Sequence, residues 1–150
     1  AGFSVSEEKL DLFREFFDAR VAANIASSNI LPNLYLDGAI TAAGANIELI
    51  AAIQSLAPFG SGNPEPRFVI PSVRVKFSDV VGTGHVRCTL RSAEGGEVKG
   101  ISFRSLDKPL GKLLLTAGDR PVHVAGRLRP NSWLGRISPQ ILIDDAAPQW

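Results

Sequence analysis

Hydrophobic and polar residues alternate with two different periods along the chain, which divides it into a shorter first part and a longer second part. In residues 4–26 and 46–57, apolar side chains recur at steps of three and four, which predicts two amphipathic helices. Ser4 or Ser6 can cap the first helix, and Asn46 can cap the second.

The pattern in the first part of the chain predicts a helix, a strand and a second helix. This part is too short to form a complete domain. Phe16 and Phe17 widen the apolar face of the first helix, which predicts burial against a sheet. Residues 34–40 predict one short strand between the two helices. Because one strand cannot form a sheet by itself, we expect its partners to lie upstream of Ala1.

Beyond residue 66 the period becomes two, which is typical of strands with one buried face. The pattern predicts three strands, a short helix and two strands, in that order, at residues 69–77, 85–91, 97–104, 105–116, 121–129 and 133–144. The side chains that should face inward are Val69, Val73, Val75, Phe77, Val86, Cys88, Leu90, Val122, Val124, Leu128, Ile137, Ile141 and Ile143. Gly100 indicates a bulge in the third strand, and Pro130-Asn131 indicates a turn before the last strand.

This order of elements is that of the OB fold, a five-stranded barrel with a helix between its third and fourth strands. The sequence therefore predicts the α+β class, as a partial helix-strand-helix segment followed by a five-stranded OB-fold β-barrel. Barrels of this kind mostly bind single-stranded nucleic acid or sugars, and others serve as protein-interaction modules.

A stretch rich in proline and glycine, SLAPFGSGNPEPRF at residues 55–68, separates the two parts. Its prolines and glycines exclude a continuous helix or strand. Because Phe59 is unusual in a solvated linker, we expect it to pack against a neighbour and to make the joint a fixed elbow. The predicted domains are residues 1–57 and 67–150, joined by the elbow at residues 58–66.

The charge of the chain also changes sign at the elbow. Residues 1–66 hold three Lys and Arg against eight Asp and Glu, whereas residues 67–150 hold thirteen against seven. A basic half attached to an acidic half indicates a nucleic-acid or other anionic partner for the basic half. Random drift of charge along a chain gives the same division, and this alternative stays open.

Basic side chains occupy the outward phase of the predicted strands, where they can lie beneath a phosphate backbone. Trp133 stands where a loop meets a strand and can supply a platform on which a base stacks. The candidate nucleic-acid-binding residues are Arg74, Lys76, Arg87, Arg91, Arg127, Arg129, Trp133 and Arg136. Two alternatives remain, since the arginines can form an ordinary solvated face and Trp133 can be buried over the barrel end.

The sequence resembles the RecJ single-strand-specific DNA exonucleases over essentially its whole length. LAPFGSGNPEPRF resembles the segment that joins their DHH-associated domain to their OB domain. Ala1-Gly2-Phe3 resembles the end of the family's glycine-histidine motif, and NSWLGRISPQILIDD resembles its last OB strands. The resemblance implies that residues 1–57 belong to a DHH-associated domain. It also implies a parent that degrades single-stranded DNA from the 5′ end, in repair and recombination.

The resemblance further implies that the parent's catalytic domain binds manganese or magnesium. An Asp-His-His run supplies some of the metal ligands in that family. This chain has His85 and His123 but no such run, and a metal site needs several converging ligands. We therefore expect no catalytic residue, metal or other cofactor in this chain, which would grip the strand and leave the chemistry to the rest of the parent.

The expected partner is single-stranded DNA. A second hypothesis is a protein-interaction module that docks the nuclease onto a single-strand-binding protein or a helicase, and a third is a relative of the phosphodiesterases that act on short RNA. We expect neither a membrane span nor secretion, because the sequence has no apolar run of about twenty residues and no signal segment. The single cysteine, Cys88, is typical of a reducing cytoplasm.

Overall fold

The computed structural model describes residues 2–28 and 33–149, which form two compact units divided between residues 34 and 35. Residues 29–32, in the polar stretch after the first predicted helix, lie outside these ranges. The first unit contains one long helix, and all the strands belong to the second unit.

The helix of the first unit, α1 (Leu10–Ser28), follows a 3₁₀ turn at Glu7–Lys9 and confirms the predicted helix. The ring of Phe13 lies 4.8 Å from that of Phe3 and 5.8 Å from that of Phe17. Among the described residues no residue of α1 is buried and Phe16 is 63% exposed, and burial of the widened apolar face against a sheet stays a prediction.

The second unit contains the predicted order of elements after the elbow, which confirms the fold class. Its elements are β1 (Gly38–Ala39), α2 (Ile47–Gln54), β2 (Phe68–Val81), β3 (His85–Arg91), β4 (Glu97–Ser102), α3 (Pro109–Thr116), β5 (Val122–Trp133) and β6 (Arg136–Pro148). Asn46 caps α2 as predicted, because its Oδ1 accepts a hydrogen bond from the backbone N–H of Leu49 at 2.8 Å.

Five strands of the second unit close into a barrel. The sheet order is β1-β2-β3-β4-β6-β5, and β5 also pairs with β2, so that the ring is complete. The β4–β6 pair is parallel and the other pairs of the ring are antiparallel. This is the strand arrangement of the OB fold.

One hydrophobic core fills the barrel and extends under both helices of the second unit. Ile50 and Ile53 of α2 and Leu114 of α3 join the buried strand residues. The buried strand residues are Ile70, Val73, Val75, Val86, Cys88, Leu90, Val98, Val122, Val124, Leu128, Ile141 and Ile143. The inward phase that the sequence predicts is confirmed for most of them.

The short strand β1 has a partner within this chain, which the sequence did not predict, whereas further sheet upstream of Ala1 stays a prediction. Gly38 and Ala39 pair in parallel with Phe68 and Val69 of β2. The first half of β2 pairs with β5 and its second half with β3. Each half therefore keeps one free edge, and β1 occupies the free edge of the first half.

Strand β2 bends twice, and this changes which of its side chains face the core. Its register shifts between Ile70 and Val73 against β5, and between Val75 and Phe77 against β3. Ser72, inside the first shift, has a φ of 53°, in the left-handed region. Each bulge reverses the phase of the alternation. Ile70 is therefore buried in place of Val69, and the prediction that Phe77 faces inward was wrong, since it is 54% exposed.

Strands β5 and β6 form a hairpin that continues to the pair Trp133 and Arg136. The turn lies at Leu134-Gly135, where both residues have positive φ, and the predicted turn at Pro130-Asn131 was wrong. Pro130 lies opposite Pro139 in a two-stranded ribbon, whose free edges tolerate a residue without an N–H. Ile137 on this ribbon is 64% exposed, contrary to the predicted inward position.

The predicted bulge at Gly100 is also wrong, because β4 pairs with β3 in continuous register. A Cβ at this position would lie 2.8 Å from Cδ1 of Ile143 and 3.0 Å from Sγ of Cys88. A larger residue here would therefore force the Ile143 and Cys88 side chains to shift.

The elbow lies within the second unit and packs against its core. Phe59 is half-buried against the hydrophobic core, which confirms the predicted contact. The side-chain amide of Asn63 donates hydrogen bonds to the carbonyls of Leu56 at 2.9 Å and Pro58 at 3.0 Å. The division into domains at residues 58–66 stays a prediction, whereas the compact unit that contains the barrel begins at Tyr35.

Replacing Gly126 with alanine should destabilise the barrel, because the new Cβ would lie 2.1 Å from the carbonyl oxygen of Leu142. We expect the free energy of unfolding, measured by urea denaturation, to fall by about 3 kcal/mol, the upper part of the usual range for overpacking. Gly62→Ala is the matched control, since nothing lies within 4 Å of its new Cβ. Equal stabilities of the two variants would contradict this account of β5.

Candidate nucleic-acid interface

One outer face of the barrel carries a row of side chains from four neighbouring strands. Phe77 of β2 lies opposite Thr89 of β3, Thr89 opposite Lys99 of β4, and Lys99 opposite Gln140 of β6. Register across adjacent strands therefore brings together residues that lie far apart in the sequence.

The end of the β5–β6 hairpin borders this row and makes it concave. The resulting cavity, the aromatic groove, has a volume of about 390 Å³. It is lined by Phe77, Arg87, Cys88, Thr89, Lys99, Asn131, Trp133 and Gln140. In OB folds the ligand-binding surface is the face of the second and third barrel strands, flanked by the loops after the first and fourth. Here those strands are β3 and β4, and the second loop is the hairpin turn.

Two aromatic rings of the aromatic groove are open to solvent. Phe77 is 54% exposed and Trp133 is 73% exposed. The alternative of a Trp133 buried over the barrel end is therefore excluded. Exposed rings beside a basic residue are the platforms on which OB folds stack successive bases.

Lys99 supplies a free positive charge to the aromatic groove. It is exposed, and no carboxylate lies within 4.0 Å of its ammonium group among the described residues. Sequence reasoning missed both Phe77 and Lys99. The facing of Lys99 cannot be read from the pattern of β4, because Val98 and Gly100 oppose Ile101 and Phe103 in phase. The exposure of Phe77 depends on a register shift that periodicity does not reveal.

Arg87, at the edge of the aromatic groove, is already bound to a carboxylate. Its Nε donates to Oδ1 of Asp79 at 2.9 Å, and its Nη2 donates to Oδ2 of the same residue. The hydrogen bond to Asp79 raises the pKa of the guanidinium above its ordinary value. Both groups are partly exposed, so that this pair contributes little to stability and can exchange its partner.

A second concave surface, the basic cleft, lies beside the aromatic groove on β2 and β3. It has a volume of about 700 Å³ and is lined by Arg74, Val75, Lys76, Arg91, Ser92, Ala93, Gly118 and Asp119. Nζ of Lys76 donates to Oε1 of Glu97 at 2.7 Å, whereas Nε of Arg91 is 4.0 Å from the same oxygen. The hydrogen bond from Lys76 is the main reason why the pKa of Glu97 lies below its ordinary value.

The remaining predicted arginines of β5 belong to an ion-pair network at the elbow. Arg129 donates to Glu65 at 2.7 Å, and Arg127 lies 3.8 Å from Glu65 and donates to Asp144 at 2.9 Å. Arg67 also donates to Asp144, at 2.8 Å. The hydrogen bond to Asp144 raises the pKa of Arg127. The network is partly buried, and it fixes the elbow to the barrel.

The predicted basic residues therefore do not form one free positive face. Lys76, Arg87, Arg127 and Arg129 have carboxylate partners close by, and Arg136 is exposed on the hairpin opposite Trp133. The pattern predicted correctly that these basic side chains face outward. It does not show which carboxylates lie close to them in the folded chain. That the eight candidates bind nucleic acid stays a prediction.

Both histidines accept hydrogen bonds from backbone N–H groups. Nδ1 of His85 accepts from the backbone N–H of Arg104 at 2.9 Å, and Nδ1 of His123 accepts from that of Ser72 at 3.3 Å. Within residues 2–28 and 33–149, no three His, Cys, Asp or Glu side chains converge in a way that could hold a metal ion. These residues do not fit the metal centre that the resemblance implies for the parent.

A family model described as the RecJ OB domain matches residues 36–145. The chain belongs to the RecJ OB-domain family. The single-stranded-DNA-specific exonuclease RecJ of Escherichia coli (strain K12) is 30% identical over 149 residues, which are 99% of this chain and 25% of that protein. RecJ of Bacillus subtilis (strain 168) is 24% identical over 149 residues, 98% of this chain and 18% of that protein. The chain thus spans a quarter or less of the length of these relatives.

The fold has a solved counterpart in the same family. The crystal structure of RecJ in complex with Mn²⁺ from Thermus thermophilus matches with a TM-score of 0.61 and 24% identity. The match covers 97% of this chain and 20% of that one. In the part of the chain that the structure describes, no helix is both long enough and apolar enough to cross a membrane.

Replacing Lys76 with glutamine should return the pKa of Glu97 towards its ordinary value, because the main stabilising hydrogen bond is lost. Side-chain NMR across a pH titration measures this directly. In the wild type the folded pKa lies below the unfolded one. The pair therefore stabilises the folded chain above the unfolded pKa, and that contribution is lost as pH falls through the folded pKa. Lys99→Gln removes the same charge from the same strand as Glu97 and should change the pKa less.

Proposed function

We propose that the chain is the single-stranded DNA-binding C-terminal region of a RecJ-like 5′–3′ single-strand-specific exonuclease. The family membership and the names of the relatives support this function. The observation that carries the proposal is the aromatic groove, in which two exposed rings accompany an unpaired lysine on the usual OB ligand face.

The groove binds through stacking and charge. Phe77 and Trp133 offer flat faces to unpaired bases, and each stacked base contributes about 1–3 kcal/mol to binding whatever its identity. Lys99 neutralises a backbone phosphate nearby. A base in a duplex has no free face for such rings, and the groove therefore selects single strands.

Binding should be weak and should depend on salt. Several basic residues around the groove already contact carboxylates, so that a phosphate must replace an existing partner. We expect affinities in the micromolar range that is typical of non-specific binding, with a slope of about −0.7 in log affinity against log salt for each phosphate contact.

The rest of the parent would supply the chemistry. We infer that the chain holds the DNA strand while a catalytic domain elsewhere in the parent, with manganese or magnesium, cleaves it during repair and recombination. In this assignment residues 1–57 end a DHH-associated domain, residues 58–66 are the elbow and residues 67–150 grip DNA. The free, buried thiol of Cys88 agrees with a reducing cytoplasm as the site of action.

A second candidate function is supported by the hairpin. Leu134 is 88% exposed and Ile137 is 64% exposed, next to the open ring of Trp133. Exposed apolar residues that cluster on a protruding element are typical of protein contacts. The hairpin would then dock the nuclease onto a single-strand-binding protein or a helicase.

Replacing Trp133 or Phe77 with alanine should weaken binding of a fluorescein-labelled deoxythymidine oligonucleotide, measured by fluorescence anisotropy. Loss of one stacked base corresponds to a rise in Kd of roughly fivefold to 150-fold. Phe103→Ala is the matched control, because Phe103 is also exposed, at 55%, but lines a different cavity. An RNA oligonucleotide of the same length, titrated in parallel, measures the preference for DNA.

Unchanged affinity in both groove variants, with the wild-type melting temperature retained, would remove the proposed DNA-binding role. The second candidate is tested by Leu134→Ser and Ile137→Ser with purified single-strand-binding protein. Loss of protein binding together with unchanged DNA affinity would support docking, whereas unchanged binding of the protein would exclude the hairpin as its site.

A further inference from the structure

Two arginines lie directly opposite each other in the basic cleft. Arg74 of β2 and Arg91 of β3 are cross-strand partners, and both are exposed. Like charges in such positions repel each other and weaken a sheet. A pair of this kind is stabilised when an anion lies between the two side chains.

The carboxylates that the chain itself supplies only partly balance the cleft. Glu97 lies opposite Arg91 on β4, but it hydrogen-bonds Lys76 and stays 4.0 Å from Arg91. Asp119 lines the cleft, yet within the described residues no cation lies within 4.0 Å of its carboxylate. Arg74 likewise has no carboxylate within that distance among these residues.

The basic cleft continues the aromatic groove along the same strands. Lys76 in the cleft precedes Phe77 in the groove, and Arg91 is two residues from Thr89. Two residues of a strand span about 7 Å. A polynucleotide that leaves the groove on this side therefore reaches Arg74 and Arg91 without crossing another element.

We propose that the basic cleft is a second contact for the same single strand, in which Arg74 and Arg91 bind a backbone phosphate in place of Glu97. This inference rests on the proposed DNA-binding function and adds a site to it. Guanidinium groups bind phosphate through two parallel hydrogen bonds, and two opposed arginines can approach one phosphate from both sides. The bound phosphate removes the repulsion between them.

In this arrangement the carboxylate of Glu97 competes with the DNA phosphate for the basic side chains of the cleft. This carboxylate accepts a hydrogen bond from Lys76, which lines the cleft, and this bond lowers the pKa of Glu97. An exposed ion pair of this kind is weak enough to be exchanged for a phosphate. A phosphate bound at Arg91 therefore competes with Glu97, whose Oε1 lies 4.0 Å from the same guanidinium.

The first test is the double variant Arg74→Ala/Arg91→Ala, in the 150-residue chain, with a deoxythymidine oligonucleotide longer than the usual OB site of about 4–16 nucleotides. Anisotropy titrations at several salt concentrations give the salt slope. Loss of the contact to this phosphate should reduce its magnitude by about 0.7. Lys108→Ala/Lys112→Ala is the control, since it removes two positive charges from residues outside both concave surfaces and should leave the slope close to wild type.

The second test changes the competitor. Glu97→Gln should tighten DNA binding by roughly two- to fivefold, the equivalent of one exposed ion pair. Glu94→Gln removes the same charge from the neighbouring turn, where no ion pair is formed among the described residues, and should change affinity less.

The outcomes separate this inference from the proposed function. If Trp133→Ala weakens binding while the Arg74/Arg91 variant keeps the wild-type salt slope, the groove binds DNA and the second contact is wrong. An equal effect of Glu97→Gln and Glu94→Gln on affinity would also overturn the second contact, because affinity would then depend on the net charge of the chain and not on the position of Glu97. If neither groove nor cleft variants change affinity, both proposals fail.

Discussion

Closure of the barrel by β2 is the constraint on which the candidate site depends. This strand must pair with β5 through its first half and with β3 through its second half, and it bends at two register shifts to do so. The bends place Ile70, Val73 and Val75 in the core and turn Phe77 outward. Without the second shift, the alternation of Val73 and Val75 would continue to Phe77 and bury its ring, and Trp133 would be left without Phe77 in the groove.

The positions of the carboxylates then decide whether each basic side chain is held in an ion pair or can bind another anion. At the elbow, Glu65 and Asp144 are largely shielded and hold three arginines in a network that fixes the joint. On the groove side, Asp79 and Glu97 pair with exposed cations, and such pairs are worth about 0–1 kcal/mol. The arginines at the elbow therefore stabilise the joint. The exposed cations on the groove side can exchange their carboxylate partners for another anion.

Much of the fold follows from local patterns. A period of two predicted the five barrel strands, and steps of three and four predicted the helices, because one face of each element must be buried. The errors have physical causes. Bulges reverse the phase within β2, the β5–β6 ribbon extends beyond the core so that Ile137 needs no burial, and Gly100 reflects close packing across the barrel.

The sequence by itself determined the order of strands and helices, the sign of the charge in each half, the family resemblance at the elbow and the outward phase of the arginines. These properties depend on neighbours within a few residues. Only the tertiary structure decided that Phe77, Lys99 and Trp133 share one groove and that Arg74 opposes Arg91. Such contacts join residues far apart in the chain, and strand register, which no local pattern encodes, sets the distances between them.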